Sequence, residues 1–412
     1  MKHWKQGICF FAAWVLLQSF VLCCVVSAED VFSKNEAKKI YDSTKVSELT
    51  SEAYALADVA TGAVVFQKNG EQTFPIGNMA KIMTLYLTFE AIGQEEISLD
   101  STFGISKEAQ QISVGRKRVF LDAGKHERIS VEQAVTAIGI ASANDAAYAL
   151  AEFLSGGTEQ AFVEMMNEKA KELGMRNTVF LDSTGILTEG QYTTAYDMAL
   201  LGCALVKSYP AVLAYTKQTY GKFQHSSTGE PETVMISTNN LTRDKFYPES
   251  DGILHADSES SGYSQTATVE VDGKRVVAVV MGASSRNIRA AELKKLMEYG
   301  LTEFEYRTVQ EAGTFVRKIN IEEGKEKKIK TATASDFGII LNKADFDKIE
   351  REVVVDSDVK APIAKGEKVG EIIFKLEEEE IGRIDIVTDE SMARANWFIR
   401  LIRKILSWLG LS

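Results

Sequence analysis

Apolar residues change their spacing several times along this chain, and each change marks an element. From Ile8 to Val26 they run almost unbroken behind Lys2, His3 and Lys5, and the run ends at Val26-Ser27-Ala28, small residues where a signal peptidase would cut. Residues 1–28 read as a secretory signal. The run is long for a signal, so an uncleaved membrane anchor is the alternative, and either one puts the rest of the chain outside the cytoplasm. Between residues 30 and 300 strand and helix patterns mix. Ala53 to Ala57 and Ala63 to Gln67 form a strand pair turning through Asp58 to Gly62, and Ile82 to Ile92 is an apolar helix with Asn78 as its N-cap. Lys81 lies one turn further on the same side. Ser130-Val131-Glu132-Gln133 is a capping box that opens a helix to about Ala141. Ser142-Ala143-Asn144 interrupts it, Asp145 to Leu154 resumes as a helix, and Thr194 opens another. Asp272-Gly273 predicts a tight hairpin between Thr266–Val271 and Lys274–Val280, with Val276 to Met281 a buried strand.

From 310 to 390 the pattern is mostly short β runs between charged turns. Phe315–Ile321, Phe337–Leu341, Glu352–Val355, Val369–Phe374 and Ile381–Val387 predict a small β-sandwich, with Glu377 to Glu380 a solvated turn. From Arg394 to Leu409 the residues Asn396, Arg400, Arg403, Lys404 and Ser407 recur every three or four positions. Trp397, Phe398, Leu401, Ile402, Ile405, Leu406 and Trp408 fill the rest of the wheel. Basic charges, no acidic ones and tryptophans near both ends suit a helix lying on a membrane surface, with core packing as the alternative. The expected organisation is therefore 1–28 signal, 29–305 main domain, 306–390 β-rich domain and 391–412 membrane-surface helix.

Composition narrows the chemistry. The 412 residues suffice for two or three domains, and a formal charge of −11 gives no basic footprint, which sets nucleic-acid binding aside. Cys9, Cys23 and Cys24 fall in the signal-like segment, leaving Cys203, most simply a buried small apolar residue. One thiol builds neither a disulfide framework nor a zinc cluster. His3, His126, His225 and His255 show no metal-ligand spacing, so no metal or other cofactor is expected.

Several segments together resemble the serine D-alanyl-D-alanine carboxypeptidases, the low-molecular-mass penicillin-binding proteins that trim peptidoglycan stem peptides. They are Asp58-Val59-Ala60-Thr61-Gly62, Lys81-Ile82-Met83-Thr84, Ser142-Ala143-Asn144-Asp145-Ala146, Glu172-Leu173-Gly174-Met175-Arg176-Asn177-Thr178, Tyr192-Thr193-Thr194-Ala195-Tyr196-Asp197-Met198-Ala199 and Val279-Val280-Met281-Gly282-Ala283. The resemblance implies an α/β transpeptidase/β-lactamase-like domain with a five-stranded sheet between helices, followed by a C-terminal β-sandwich domain and the amphipathic terminal helix. It also implies three motifs, Ser-x-x-Lys, Ser-x-Asn and Lys-Thr-Gly.

Two of the three are altered. The position of the attacking hydroxyl is Asn78, whose delocalised amide is a poor nucleophile, while Lys81 remains. Ser142-Ala143-Asn144 survives, in the place that relays the proton and holds the peptide backbone. Where the family has Lys-Thr-Gly to meet the substrate's terminal carboxylate, this chain has His255-Ala256-Asp257. Asp257 adds a negative charge, so the carboxylate pocket is expected to be inverted, with like charges about 4 Å apart repelling by about 4 kcal/mol at an effective dielectric of about 20. Asn78 could simply cap its helix. Ser142 and Asn144 could cap the next one, and His255 and Asp257 could be an exposed pair on a strand end. Three functions follow. The first is an inactive, membrane-tethered homologue that binds peptidoglycan stem peptides or an envelope protein. The second is an active serine carboxypeptidase in which Ser142, beside Lys81, replaces the nucleophile. The third is a purely structural envelope module.

Overall fold

The computed structural model describes residues 46–112, 118–186, 189–226, 231–244, 246–258 and 261–408; the signal-like segment and its three cysteines lie outside them. The chain divides after Leu301 into two compact units.

In the first unit, β1 (Ala53–Asp58) and β2 (Val64–Lys68) form the expected pair. The apolar helix is α1 (Lys81–Gly93). The capping box opens α2 (Val131–Ala141), with both of its reciprocal hydrogen bonds present, and α3 (Asn144–Leu154) follows. Thr194 accepts a hydrogen bond from Asp197 N and so caps α4 (Ala195–Ser208). The remaining main elements are β3 (His255–Ser258), β4 (Gly262–Val271), β5 (Lys274–Ala283) and α5 (Arg286–Glu303).

The sheet runs β3-β4-β5-β1-β2, all antiparallel, with the short strand Ser250–Gly252 pairing beside β4. The β4–β5 hairpin turns at Asp272-Gly273, both at positive φ, as a two-residue hairpin turn requires. β1 and β5 are buried on both faces because helices cover both. Gly202 of α4 packs against Val277 and Thr266, and Gly300 of α5 packs against Leu56, where a Cβ would fall 2.8 Å from each first neighbour. Cys203 is buried in α4, and burial pushes its thiol up to about 12. It is therefore a packing residue.

The second unit contains β6 (Phe304–Gln310), β7 (Phe315–Asn320), β8 (Lys328–Thr333), β9 (Phe337–Asn342), β10 (Glu350–Val355), β11 (Lys368–Leu376) and β12 (Glu379–Thr388). They form a five-stranded sheet, β7-β8-β12-β11-β10, and a two-stranded one, β6-β9. Phe337 stacks on Phe374 with centroids 4.1 Å apart, tying β9 to β11. β6 and β8 are the strands the sequence pattern did not single out: Lys328 to Thr333 carries Lys and Thr at alternate positions with Ile329, Ala332 and Thr331 turned inward. Met392 also packs into this core and pairs with Ile363. The chain then enters α6 (Trp397–Trp408), which Arg403 Nη1 and Nη2 anchor to the carbonyls of Gly324 and Lys325 at 2.6 and 3.0 Å.

Candidate active site

The loop before α1 differs from expectation. Gly77–Ala80 is a turn of 3-10 helix, and the N-cap of α1 is Ala80, without a side-chain cap. Asn78 is therefore not a helix cap. Its side chain turns to Lys81 instead: Lys81 Nζ donates to Asn78 Oδ1 at 2.9 Å and to the Thr184 carbonyl at 2.6 Å. Lys81 is fully buried and Asn78 half-buried. A buried ammonium is costly unless acceptors surround it, and these two oxygens meet that need.

Thr184 belongs to a loop that sequence reasoning passed over. Asp182 Oδ1 accepts from Thr184 N and Thr184 Oγ1, both at 2.7 Å, and from Gly185 N and Ile186 N. Gln191 Oε1 accepts from Leu181 N and Asp182 N, while Gln191 Nε2 donates to Asp182 Oδ2 at 3.2 Å. Gly185 has φ +78°, and a Cβ there would lie 1.7 Å from the Gly77 carbonyl oxygen. The loop is thereby pressed against the Asn78 turn and delivers the Thr184 carbonyl to Lys81. The available signal was Asp182-Ser183-Thr184-Gly185, an Asx-turn sequence ending in glycine.

Ser142 sits between α2 and α3 in the left-handed region, φ 51°. Neither Ser142 nor Asn144 is the N-cap of α3, which is Ala143, again without a side-chain bond; Ser142 is instead the C-cap of α2, its N–H donating to the Ala137 and Ile138 carbonyls. Ser142 Oγ and Asn144 Oδ1 are both buried with no hydrogen-bond partner. The Ser142 hydroxyl is therefore not hydrogen-bonded to Lys81. Next along α3, the Asp145 carboxylate accepts from Val119 N and Leu121 N at 3.1–3.2 Å. Burial raises its pKa against those bonds. The same peptide segment carries Phe120, an exposed aromatic at φ 67° under the Arg118 guanidinium.

At the third motif the sequence expectation is corrected. His255 is buried, and Asp257 is 15% exposed, so they are no exposed pair. His255 Nε2 lies 3.0 Å from Thr238 Oγ1 and 3.9 Å from Asp257 Oδ2. Asp257 Oδ1 accepts from Arg289 Nη1 at 2.5 Å and Oδ2 from Arg286 Nε at 2.8 Å. Burial opposes the charge on Asp257, but Arg289, His255 and Arg286 outweigh it and hold the carboxyl at about 2. Arg286 and Arg289 both pair with Asp257, so it is not the lone negative charge that the motif suggests. Arg286 and Arg289 lie on α5, some thirty positions from the motif, which is why local spacing could not reveal them. On the other face of β3, Ala256 Cβ is 2.9 Å from where a Cβ on Gly77 would sit, so the third motif abuts the Asn78 turn.

Among the described residues no group of three or more His, Cys, Asp or Glu is placed to hold a metal. The site consists of a buried lysine with amide and carbonyl acceptors, a buried Ser-x-Asn loop and the edge of an antiparallel sheet.

A five-stranded sheet between helices, with the Asn78 turn against β3, defines the transpeptidase/β-lactamase-like class. Residues 40–285 match the family described as D-alanyl-D-alanine carboxypeptidase, and residues 304–394 match the C-terminal domain of penicillin-binding protein 5. The chain belongs to the D-alanyl-D-alanine carboxypeptidase family. It is 33% identical over 384 residues to D-alanyl-D-alanine carboxypeptidase DacF of Bacillus subtilis, covering 92% of this chain and 95% of the relative. It is 30% identical over 371 residues to DacD of Escherichia coli, covering 89% and 92%. Among solved structures, DacD from Francisella tularensis superposes with a TM-score of 0.70 at 26% identity, covering 84% of this chain and 95% of that one. Penicillin-binding protein 5 from Haemophilus influenzae gives 0.68 at 26% identity, covering 84% and 98%.

Proposed function

We propose that this chain is an extracytoplasmic member of the family that binds peptidoglycan stem peptides without forming an acyl-enzyme at position 78. The observation that carries this reading is the Asn78–Lys81 contact: the amide oxygen accepts a hydrogen bond from the lysine that would otherwise take a proton from a hydroxyl. Loss of the nucleophile from a unit of this kind costs about 10⁶ in turnover. Lys81, Ser142 and Asn144 then serve as binding groups, with His255, Ala256 and Asp257 at the end of the ligand. The signal-like start supports delivery to the cell envelope. The exposed Trp397, Phe398, Leu401, Ile402 and Ile405 of α6 support attachment to the membrane surface; Trp408 belongs to the same expected face.

A second reading, an active serine-type carboxypeptidase, is favoured by the names of the relatives, which are carboxypeptidases over nearly the full length of the chain. It would use Ser142, whose buried hydroxyl has no hydrogen-bond partner. Release of free D-alanine from a stem pentapeptide separates the two. The first reading expects none; release that disappears in Ser142→Ala establishes the second. Retention of the chain lacking residues 397–412 on purified sacculi supports binding, and no retention would leave only the structural module.

A further inference from the structure

At the outer strand β3 a single carboxylate occupies a seat built from two guanidinium groups. Arg289 is fully buried. Its Nη1 reaches Asp257 at 2.5 Å, its Nη2 donates to Asn240 Oδ1 at 3.1 Å, and its Nε is buried without a partner. Arg286, whose side chain is 58% exposed, closes the seat from the solvent side at 2.8 Å. His255 faces the same oxygen of Asp257 from 3.9 Å, and Tyr263, opposite Asp257 on β4, lies under Arg286. The seat is one residue from the Ala256–Gly77 contact and hence beside the Asn78 turn.

We propose that Asp257 is a built-in stand-in for a ligand carboxylate, and that the peptide bound beside it ends in a neutral amide rather than a free acid. This rests on the peptide-binding reading above. Paired guanidinium groups are the arrangement that recognises a carboxylate in two-point fashion. Here they are filled from within the same chain, at an effective concentration that a free ligand does not match. An incoming carboxylate finds the buried arginine already engaged by Asp257. An amide brings N–H donors to the exposed edge of Asp257 and no charge. A stem peptide whose last residue is already amide-linked, as in a cross-link, fits; a free D-Ala-D-Ala end does not.

The test is calorimetric titration of the full chain at pH 7 with two probes, diacetyl-L-lysyl-D-alanyl-D-alanine and the same peptide with a C-terminal amide. The wild type should bind the amide about tenfold or more tightly than the acid. Asp257→Asn, which keeps the shape and an acceptor for Arg289, should abolish or reverse that preference. Asp257→Gly, checked by its melting transition to be folded, should gain affinity for the acid. Wild type that binds the acid as tightly as the amide, or an unchanged preference in Asp257→Asn, overturns the inference and leaves peptide binding standing. If neither probe binds but sacculi retain the chain, the inference falls alone. If sacculi also fail, the binding reading falls with it.

Discussion

Replacing Asp257 by Asn removes one charge from the Arg286–Arg289 seat while preserving its volume, and the structure sets the size of the effect. Asp257 is held at about 2 against an ordinary 3.8. At about 1.4 kcal/mol per tenfold change in proton affinity this amounts to about 2 kcal/mol of stability at neutral pH. Because the folded-state pKa is depressed, the contribution is complete above the ordinary carboxylate range and is lost as pH falls through about 2, with about half remaining at pH 3. The arginine gives the opposite sign: burial pulls the pKa of Arg289 down in spite of Asp257. A guanidinium stays charged throughout the accessible range, so the pH dependence belongs to the aspartate. Truncation to Ala strands the buried arginine and should cost more, about 3–5 kcal/mol. The assay is urea unfolding followed by far-ultraviolet circular dichroism, since residues 46–301 contain no tryptophan to report on the sheet. A wild-type minus Asp257→Asn difference below about 0.5 kcal/mol at pH 7, or one that stays flat from pH 7 to pH 3, would refute the assignment of this charge as the anchor between β3 and α5.

Other substitutions probe the remaining parts. Gly185→Ala should destabilise by about 3 kcal/mol or more, because its Cβ meets the Gly77 carbonyl. Gly156→Ala, at φ +77° with open space around it, should cost only about 1 kcal/mol in the same melting experiment. Asn78→Ala should cost about 1–3 kcal/mol by leaving the Lys81 ammonium one acceptor short. Lys81→Met should stay within about 1 kcal/mol of wild type in thermal melts, since a buried charge is exchanged for an apolar chain of similar length. Charging the exposed face of α6 with Leu401→Glu and Ile405→Glu should abolish flotation with anionic vesicles and leave the melting of the β domain unchanged.

Period and turn chemistry made the framework legible in the sequence. The capping box at Ser130, the hairpin at Asp272-Gly273 and the Thr194 cap are local rules, and all three appear where the residues put them. Asn78 failed as a cap for a reason that no local rule contains: a buried ammonium three residues away needed its oxygen more than the helix end did. The charge of the third motif was misjudged in the same way. Asp257 looked like a lone negative residue because its partners, Arg286 and Arg289, come from a helix far along the chain. The Asp182–Gly185 loop was readable as a turn, but its task of handing a carbonyl to Lys81 depends on contact across a hundred residues. Local order is written in spacing, whereas the state of a buried charge is written in the tertiary fold.

The decisive measurement is the intact mass of the purified chain after incubation with benzylpenicillin, alongside Asn78→Ser with Lys-Thr-Gly restored at 255–257. With an amide at position 78, the wild type should keep its unmodified mass and the restored variant should gain one acyl adduct. A stoichiometric adduct on the wild type, mapped to Ser142 or any other hydroxyl, would contradict the account.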